Sequence, residues 1–282
     1  MIDTLFDLSG KVDPVRESVF RDVARASAAL GIPFFVVGAC ARDLLLDLYY
    51  SIPAFRATND IDLGIRVETW NMFEEVKRSL AETGRYVTEI HRPERLRSSE
   101  GVFIDVVPFG GVEDSVTRDI MWAPENSVVM SALGFEEAYR NAINVRVAPD
   151  LIISVSSLAG LTLMKLIAWK DRRNTKDAKD LKLILSEYLR AGNEARLESG
   201  EQADLLEEDK FVSLDLTSAR LLGRDLALIM TDQCRQVVIE LLADTSALAS
   251  GMASESIEID EDFESARNLL EAFRLGIIDP HI

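Results

Sequence analysis

Asp60 and Asp62 stand two residues apart in Thr58-Asn59-Asp60-Ile61-Asp62-Leu63-Gly64-Ile65, where alternation predicts a β-strand over 60–67. Residues i and i+2 of a strand share a face, so the two carboxylates are expected side by side, with Ile61, Leu63 and Ile65 turned to a core. Like charges that close repel unless something positive sits between them. Magnesium suits the place, because it takes hard oxygen ligands and is often held by one or two carboxylates plus substrate phosphates. Taken alone, the pair also fits a solvated strand face or a capped turn.

Asp105 interrupts Val102-Phe103-Ile104 and Val106-Val107, a run otherwise apolar enough to be a buried strand. A carboxylate there is costly unless paired or metal-bound. If its strand lies beside that of Asp60 and Asp62, three carboxylates converge. The competing readings are an edge strand with Asp105 in water, or an ion pair with Arg92, Arg95 or Arg97. A third element is Val37-Gly38-Ala39-Cys40-Ala41-Arg42-Asp43. A strand that ends in glycine and turns into a helix presents backbone N–H groups to an anion, and the glycine allows a phosphate to come close. Arg42 and Asp43 follow on the first helical turns, where a surface ion pair is the plainer alternative. Cys40 reads as a small packing residue rather than a thiol of lowered pKa. His91 and His281, the only histidines, are paired with no nucleophile, so Ser-His or Cys-His catalysis lacks support. Trp70, Trp122 and Trp169 read as core or rim.

The elements that position these residues follow from periodicity. Apolar residues recur at helical spacing from Asp13 to Leu30 and close on Gly31. Pro33 to Val37 is a short β-rich run, Ala39 to Tyr50 a helix, and Ser51 to Asn59, with Pro53, a loop. An amphipathic helix over Glu68 to Thr83 follows the 60–67 strand. Tyr86 to His91 and Val102 to Phe109 are strand-like, and Gly110-Gly111 is a stop. A strand-rich stretch with one short helix, Phe135 to Asn141, runs to Val147. After Pro149 the pattern turns helical, over Ser157 to Arg172, Lys176 to Arg190 and onward to Leu275, with acidic linkers at 193–209 and 249–262. The expectation is an α+β chain, with an α/β domain over 1–150 and a mainly helical domain over 151–282.

Bulk composition narrows the class. The 282 residues are 48% hydrophobic and 28% charged, ordinary for a soluble globular chain. No apolar run reaches the ~18 residues of a membrane span, and Met1 to Gly10 does not read as a secretory signal. Cys40 and Cys234 lie far apart without metal-ligand spacing, which fits a reducing cytoplasm. The net charge is −17, and two segments, 193–215 and 240–264, hold 14 of those negative charges. A broad nucleic-acid-coating surface is therefore disfavoured, while a local basic cleft is still compatible.

Order and spacing together resemble the DNA polymerase beta nucleotidyltransferase superfamily: a glycine turn opening a helix at Gly38-Ala39, then Asp60-Ile61-Asp62 on the next strand, then Asp105 on a later one. The segment Val36 to Leu46 is similar to the Gly-Gly-Ala-x-Arg-Asp segment of tRNA CCA-adding enzymes, although Ala39 replaces the usual second Gly or Ser and the gap to Asp60 is longer. Leu163-Met164-Lys165-Leu166-Ile167-Ala168-Trp169-Lys170-Asp171-Arg172, followed by Lys176-Asp177-Ala178-Lys179-Asp180-Leu181, resembles the AbiEii-type branch, several of whose members are toxins of toxin–antitoxin pairs. The resemblance covers roughly residues 33–185.

That resemblance implies a nucleotidyltransferase fold, a mixed sheet flanked by helices, and a two-metal, pyrophosphate-releasing transfer of NMP from an NTP such as ATP or GTP. Asp60, Asp62 and Asp105 would hold Mg2+ or Mn2+. Gly38 and Ala39 would bind the triphosphate with Arg42 nearby, Lys165 would contact the phosphates, and Asp177 or Asp180 would be the late carboxylate. The acceptor hydroxyl would belong to RNA, perhaps tRNA, or to a protein, with an antitoxin as a further partner. Two alternatives stand: an antibiotic-type enzyme with a small-molecule acceptor, which the acidic C-terminal half would complement if the drug were cationic, and a non-catalytic protein of the same fold that binds a nucleotide or partner. For Asp177 and Asp180, solvent-exposed support along a helix face is the plain alternative.

Overall fold

The computed structural model describes residues 5–56, 58–90, 92–122, 129–198, 200, 202–207, 213–254 and 259–279. His91 and His281 lie outside them. Two units result, Met1–Ser157 and Leu158–Ile282. The first holds β1 (Phe6–Asp7), α1 (Pro14–Leu30), β2 (Phe34–Val37), α2 (Gly38–Arg42), β3 (Ile61–Val67), α3 (Trp70–Glu82), β4 (Tyr86–Glu89), β5 (Arg92–Ser98), β6 (Phe103–Gly110), β7 (Asp119–Met121), β8 (Val129–Ser131), α4 (Phe135–Arg140), β9 (Ile143–Ala148) and β10 (Leu151–Val155). The architecture is α+β.

Among the described residues, eight strands form one mixed sheet in the order β1-β9-β10-β2-β3-β6-β5-β4, and β7 with β8 makes a separate ribbon. β3 runs parallel to β6 and antiparallel to β2, so β2 ends where β3 and β6 begin. The alternation of β3 buries Ile61, Leu63, Ile65 and Val67 and leaves Asp62 and Arg66 on the opposite face. On that face, beginning with Phe35 over Gly64, two residues on from Asp62, the rings of Phe35, Phe109, Phe135 and Tyr139 pack together, with Phe35 and Phe109 centroids 5.6 Å apart and Phe109 and Phe135 5.8 Å. Such pairs add about 0.5–1.5 kcal/mol each beyond their buried area. The aromatic cluster thus fixes the sheet that carries the aspartates.

Three strands fall outside the sequence expectation, one of them β10, which lies past Pro149 in the part expected to be helical and joins β9 and β2 in the sheet. β1 is only two residues long and pairs with β9, too little for a periodic signal. β5 is rich in charge, yet its alternation is present: Leu96 and Ser98 are buried while Arg95 and Arg97 project from the other side. The helix expected over 39–50 is α-helical only over α2, and its chain continues as a wider π-helical turn over Asp43–Tyr49.

In the second unit, α5 (Leu158–Arg172) and α6 (Thr175–Glu187) are followed by α7 (Glu194–Glu198), α8 (Leu214–Ile229), α9 (Asp232–Ala243), α10 (Ser246–Ala253) and α11 (Ile259–Ile278). The segments expected as linkers are partly structured, since α7 and a 3-10 turn at Ala203–Leu206 lie in the first and α10 reaches into the second. α8 and α11 cross where Gly223 meets Gly276, and a Cβ on either would run into backbone of the other helix. The acidic charge is partly neutralised here. Buried Arg224 binds Asp204 at 2.6 Å and Asp279 at 2.5 Å, and Arg196 binds Asp225 at 2.6 Å. No described helix is long and apolar enough to cross a membrane.

Candidate active site

Strand register brings the aspartates together. Asp62 of β3 is paired with Asp105 of the parallel neighbour β6, and on its other side with Val37, the last residue of β2. Register partners share a face, so two carboxylates stand abreast. Gly38 follows Val37 with φ +62°, and a Cβ there would overlap the Asp62 carboxylate. Only glycine meets both requirements: the left-handed backbone and the space the carboxylate fills. The same residue that turns the chain into α2 therefore seats Asp62. Asp60 immediately precedes β3 and is the most exposed of the three, with its N–H donating to Thr58 Oγ1.

Asp105 is partnered by Arg95, which faces it across the antiparallel β5–β6 pair. Arg95 Nε donates to Oδ1 at 2.6 Å and its Nη2 to Oδ2 at 2.5 Å, while the same Nη2 lies 3.6 Å from Asp60 Oδ2. Arg92 comes within 3.9 Å of Asp105, and the Phe103 ring lies 4.8 Å from the Arg95 guanidinium. Asp105's hydrogen bonds raise the Arg95 pKa further above its ordinary value. Of the readings open for Asp105, the ion pair is the one present. The Arg-Leu-Arg-Ser alternation at 95–98 was the signal for the strand that supplies it.

Arg42 does not face a nucleotide in this geometry, contrary to its expected place beside the phosphates. It is fully buried, and its Nη2 binds Asp43 Oδ1 at 2.6 Å and the Arg56 carbonyl at 2.9 Å. Asp43, 5% exposed, accepts from the Thr58 N–H at 3.3 Å, and Arg16 donates to the Thr58 carbonyl. The surface ion pair is likewise corrected. The cause is plain in the sequence: Ala39 to Leu46 is buried on every side, the behaviour of a helix that is apolar all round. Cys40 is buried, and burial pushes its thiol up to about 12, so it is a packing residue.

In the second unit the structure brings Lys165, Asp177 and Asp180 together, but not as an open phosphate site. Lys165 Nζ lies 3.0 Å from Asp177 Oδ1 and 2.7 Å from Asp180 Oδ2, and Arg172 donates twice to Asp177, at 2.7 and 2.9 Å. Both aspartates are buried, which removes the exposed-support reading. Burial favours the neutral Asp177 carboxyl, yet the Arg172 hydrogen bonds and the Lys165 charge outweigh it and hold it below the usual carboxylate range. With two carboxylates on its three donors and its charge offset by theirs, Lys165 is committed to Asp177 and Asp180.

As a donor set, Asp60, Asp62 and Asp105 fit a hard divalent cation: all offer carboxylate oxygen, and two of them already converge on a single cationic nitrogen, that of Arg95. Among the described residues, no three His, Cys, Asp or Glu side chains are arranged to hold a metal ion together.

The mixed sheet flanked by helices, with a glycine turn set against one of two abreast aspartates, is a nucleotidyltransferase fold. The chain belongs to the family of nucleotidyl transferase AbiEii toxins of type IV toxin–antitoxin systems, whose model matches residues 23–267. No curated protein matches it. Among solved structures it is similar to the antibiotic-resistance factor ANT(2'')-Ia, with 15% identity, 70% of this chain and 100% of that one covered, and a TM-score of 0.38. It is similar also to the Thermotoga maritima CCA-adding enzyme complexed with tRNA, with 15% identity, 97% and 81% covered, and a TM-score of 0.34.

Proposed function

We propose that the chain transfers an NMP from a nucleoside triphosphate to a hydroxyl of an RNA, tRNA being the first candidate, or of a protein, and that it acts as the toxin of a toxin–antitoxin pair. The observation that carries this reading is the register pair Asp62–Asp105 beside Gly38, with Asp60 at the strand entrance. Mg2+ or Mn2+ held by these three residues would neutralise the triphosphate and activate the acceptor hydroxyl. The backbone N–H groups opening α2 at Gly38 and Ala39 would hold the triphosphate tail, since Val37 has no side-chain oxygen to cap them. The acceptor oxygen attacks the α-phosphorus, the bond to the β-phosphate breaks, and pyrophosphate leaves. Asp105, nearest the acceptor in this scheme, would take the hydroxyl proton. Lys165, Asp177 and Asp180 are assigned to holding α5 and α6 together rather than to the phosphates.

A cavity of about 490 Å3 in the first unit favours a second reading. Asn59 and Val102, neighbours of Asp60 and Phe103, line it together with Asp13, Asp47, Glu100 and Arg16. A mostly acidic wall suits a cationic small-molecule acceptor, as in an antibiotic-type enzyme. Supplying each of four α-labelled NTPs with total RNA, purified tRNA, the protein itself, or an aminoglycoside and lincosamide mixture separates the two. Label on tRNA or protein supports the first reading and label on the drug the second. Label nowhere, with the Asp60→Ala/Asp62→Ala protein as control, would overturn both.

A further inference from the structure

We infer that Arg95 is a built-in counter-cation of the carboxylate cluster, which a divalent ion must displace before Asp105 can serve. The identity of that ion rests on the nucleotidyltransferase reading.

Three observations lead here. The first is occupancy: the guanidinium engages both oxygens of Asp105, at 2.6 and 2.5 Å, and the nitrogen bound to Oδ2 is also the one 3.6 Å from Asp60. A forked, two-bond pair of this kind takes one lone-pair site on each Asp105 oxygen and neutralises the charge that a divalent ion would seek. The second is placement. Arg95 reaches Asp105 from the directly opposed position of the adjoining strand, so strand pairing delivers it rather than a chance surface rotamer. The third is enclosure, since the side chains of Arg95 and Asp105 are only 15% and 16% exposed and Phe103 lies along the guanidinium. Exposed ion pairs contribute little, but a forked pair this sheltered from water is worth more.

The consequence is competition for the same oxygens. Without a bound ion, Asp60, Asp62 and Asp105 would repel one another at the end of the sheet, and Arg95 relieves that repulsion. When an ion binds, the free energy of the Arg95 pair is subtracted from its affinity, as for any two ligands of one site. Arg95 thus sets the ion concentration at which the site fills.

The test is Mn2+ binding to the full chain without nucleotide, followed by the paramagnetic signal of the free ion. Arg95→Gln keeps the length of the side chain and removes the charge, and Arg95→Lys keeps a charge without the fork. Circular dichroism and thermal unfolding establish that each is folded. Expected is at least about tenfold tighter binding in Arg95→Gln, the size of one charge-assisted hydrogen bond lost from the competition. Arg95→Lys should fall between, and Asp105→Asn in the Arg95→Gln background should abolish the gain. Equal binding in wild type and Arg95→Gln, or binding in neither, overturns the inference. Label transfer by the wild type is read separately. Transfer without a gain in Arg95→Gln sinks the Arg95 inference alone, and a gain without transfer sinks the transferase reading alone.

Discussion

Arg42 and Asp43 are neighbours in sequence whose side chains close on each other inside the protein and together grip the loop that delivers Asp60. Arg42 takes the carbonyl of Arg56, and Asp43 takes the N–H of Thr58, fifteen residues along the chain. The helix that opens at Gly38 and the strand that carries Asp62 are thus tied through one buried pair, so both ends of the proposed site keep a fixed relation.

Arg42→Ala leaves the Asp43 carboxylate buried without its cation. Removing one member of such a pair costs about 3–5 kcal/mol. Urea unfolding should show a loss of that size, with a smaller one for Arg42→Met/Asp43→Leu, in which both charges go.

Gly38→Ala places a methyl group against Asp62 at a backbone angle disfavoured for L-residues. The backbone alone costs about 1–2 kcal/mol. NMP transfer should fall further than stability does, because the displaced group is the carboxylate itself. A variant that loses stability and transfer in equal measure would argue against the placement of Asp62.

Asp60→Asn and Asp62→Asn keep shape and remove charge. If these residues hold the ions, each loses several kcal/mol of charge stabilisation in the reaction, or about 10^3-fold in rate. Initial rates with labelled NTP measure this, and unchanged melting temperatures show that the fold survives.

Lys165→Met removes the ammonium that buried Asp177 and Asp180 share, with Arg172 still on Asp177, for a loss of about 3–5 kcal/mol in urea unfolding at pH 7. Free phosphate or nucleotide should bind the folded variant as it binds the wild type, whereas selective loss of nucleotide binding would restore the phosphate role to Lys165.

Acid should erase part of what this cluster contributes. The fold holds the Asp177 carboxyl below its ordinary value of 3.8, so the unfolded chain takes up that proton first as pH falls. The stabilisation is fully present above that ordinary value and is lost as pH drops through the lowered one. The stability gap between wild type and Asp177→Asn should therefore be widest near neutrality and shrink below about pH 4 in urea titrations at stepped pH.

The sequence made Asp60, Asp62, Asp105 and Gly38 legible because alternation in a strand and a glycine at its end are local signals. The run from Phe103 to Phe109 announced a buried strand, and its lone aspartate marked the costly position. What could not be read was non-local. β6 lies next to β3 with β5 beyond it, and only that order sets Arg95 rather than Arg92 or Arg97 opposite Asp105. Arg42 was misplaced for another reason: charge suggested a surface, while the apolar residues around the whole helix required burial. For Lys165, the resemblance implied a phosphate contact, and the two aspartates that close on it are twelve and fifteen residues away, beyond any local signal.

The pairing of Asp62 with Asp105, and of Asp105 with Arg95, also says where this chain can change length over evolutionary time. A strand displaced by one residue turns every side chain to the opposite face. One residue gained or lost between Phe103 and Asp105 would bury the carboxylate behind the sheet and bring Ile104 or Val106 to Arg95. One residue gained in β5 would present Leu96 to Asp105 instead. Insertions and deletions should accordingly be excluded from these three adjacent strands and collect in connections such as 111–118, which bear on neither alignment.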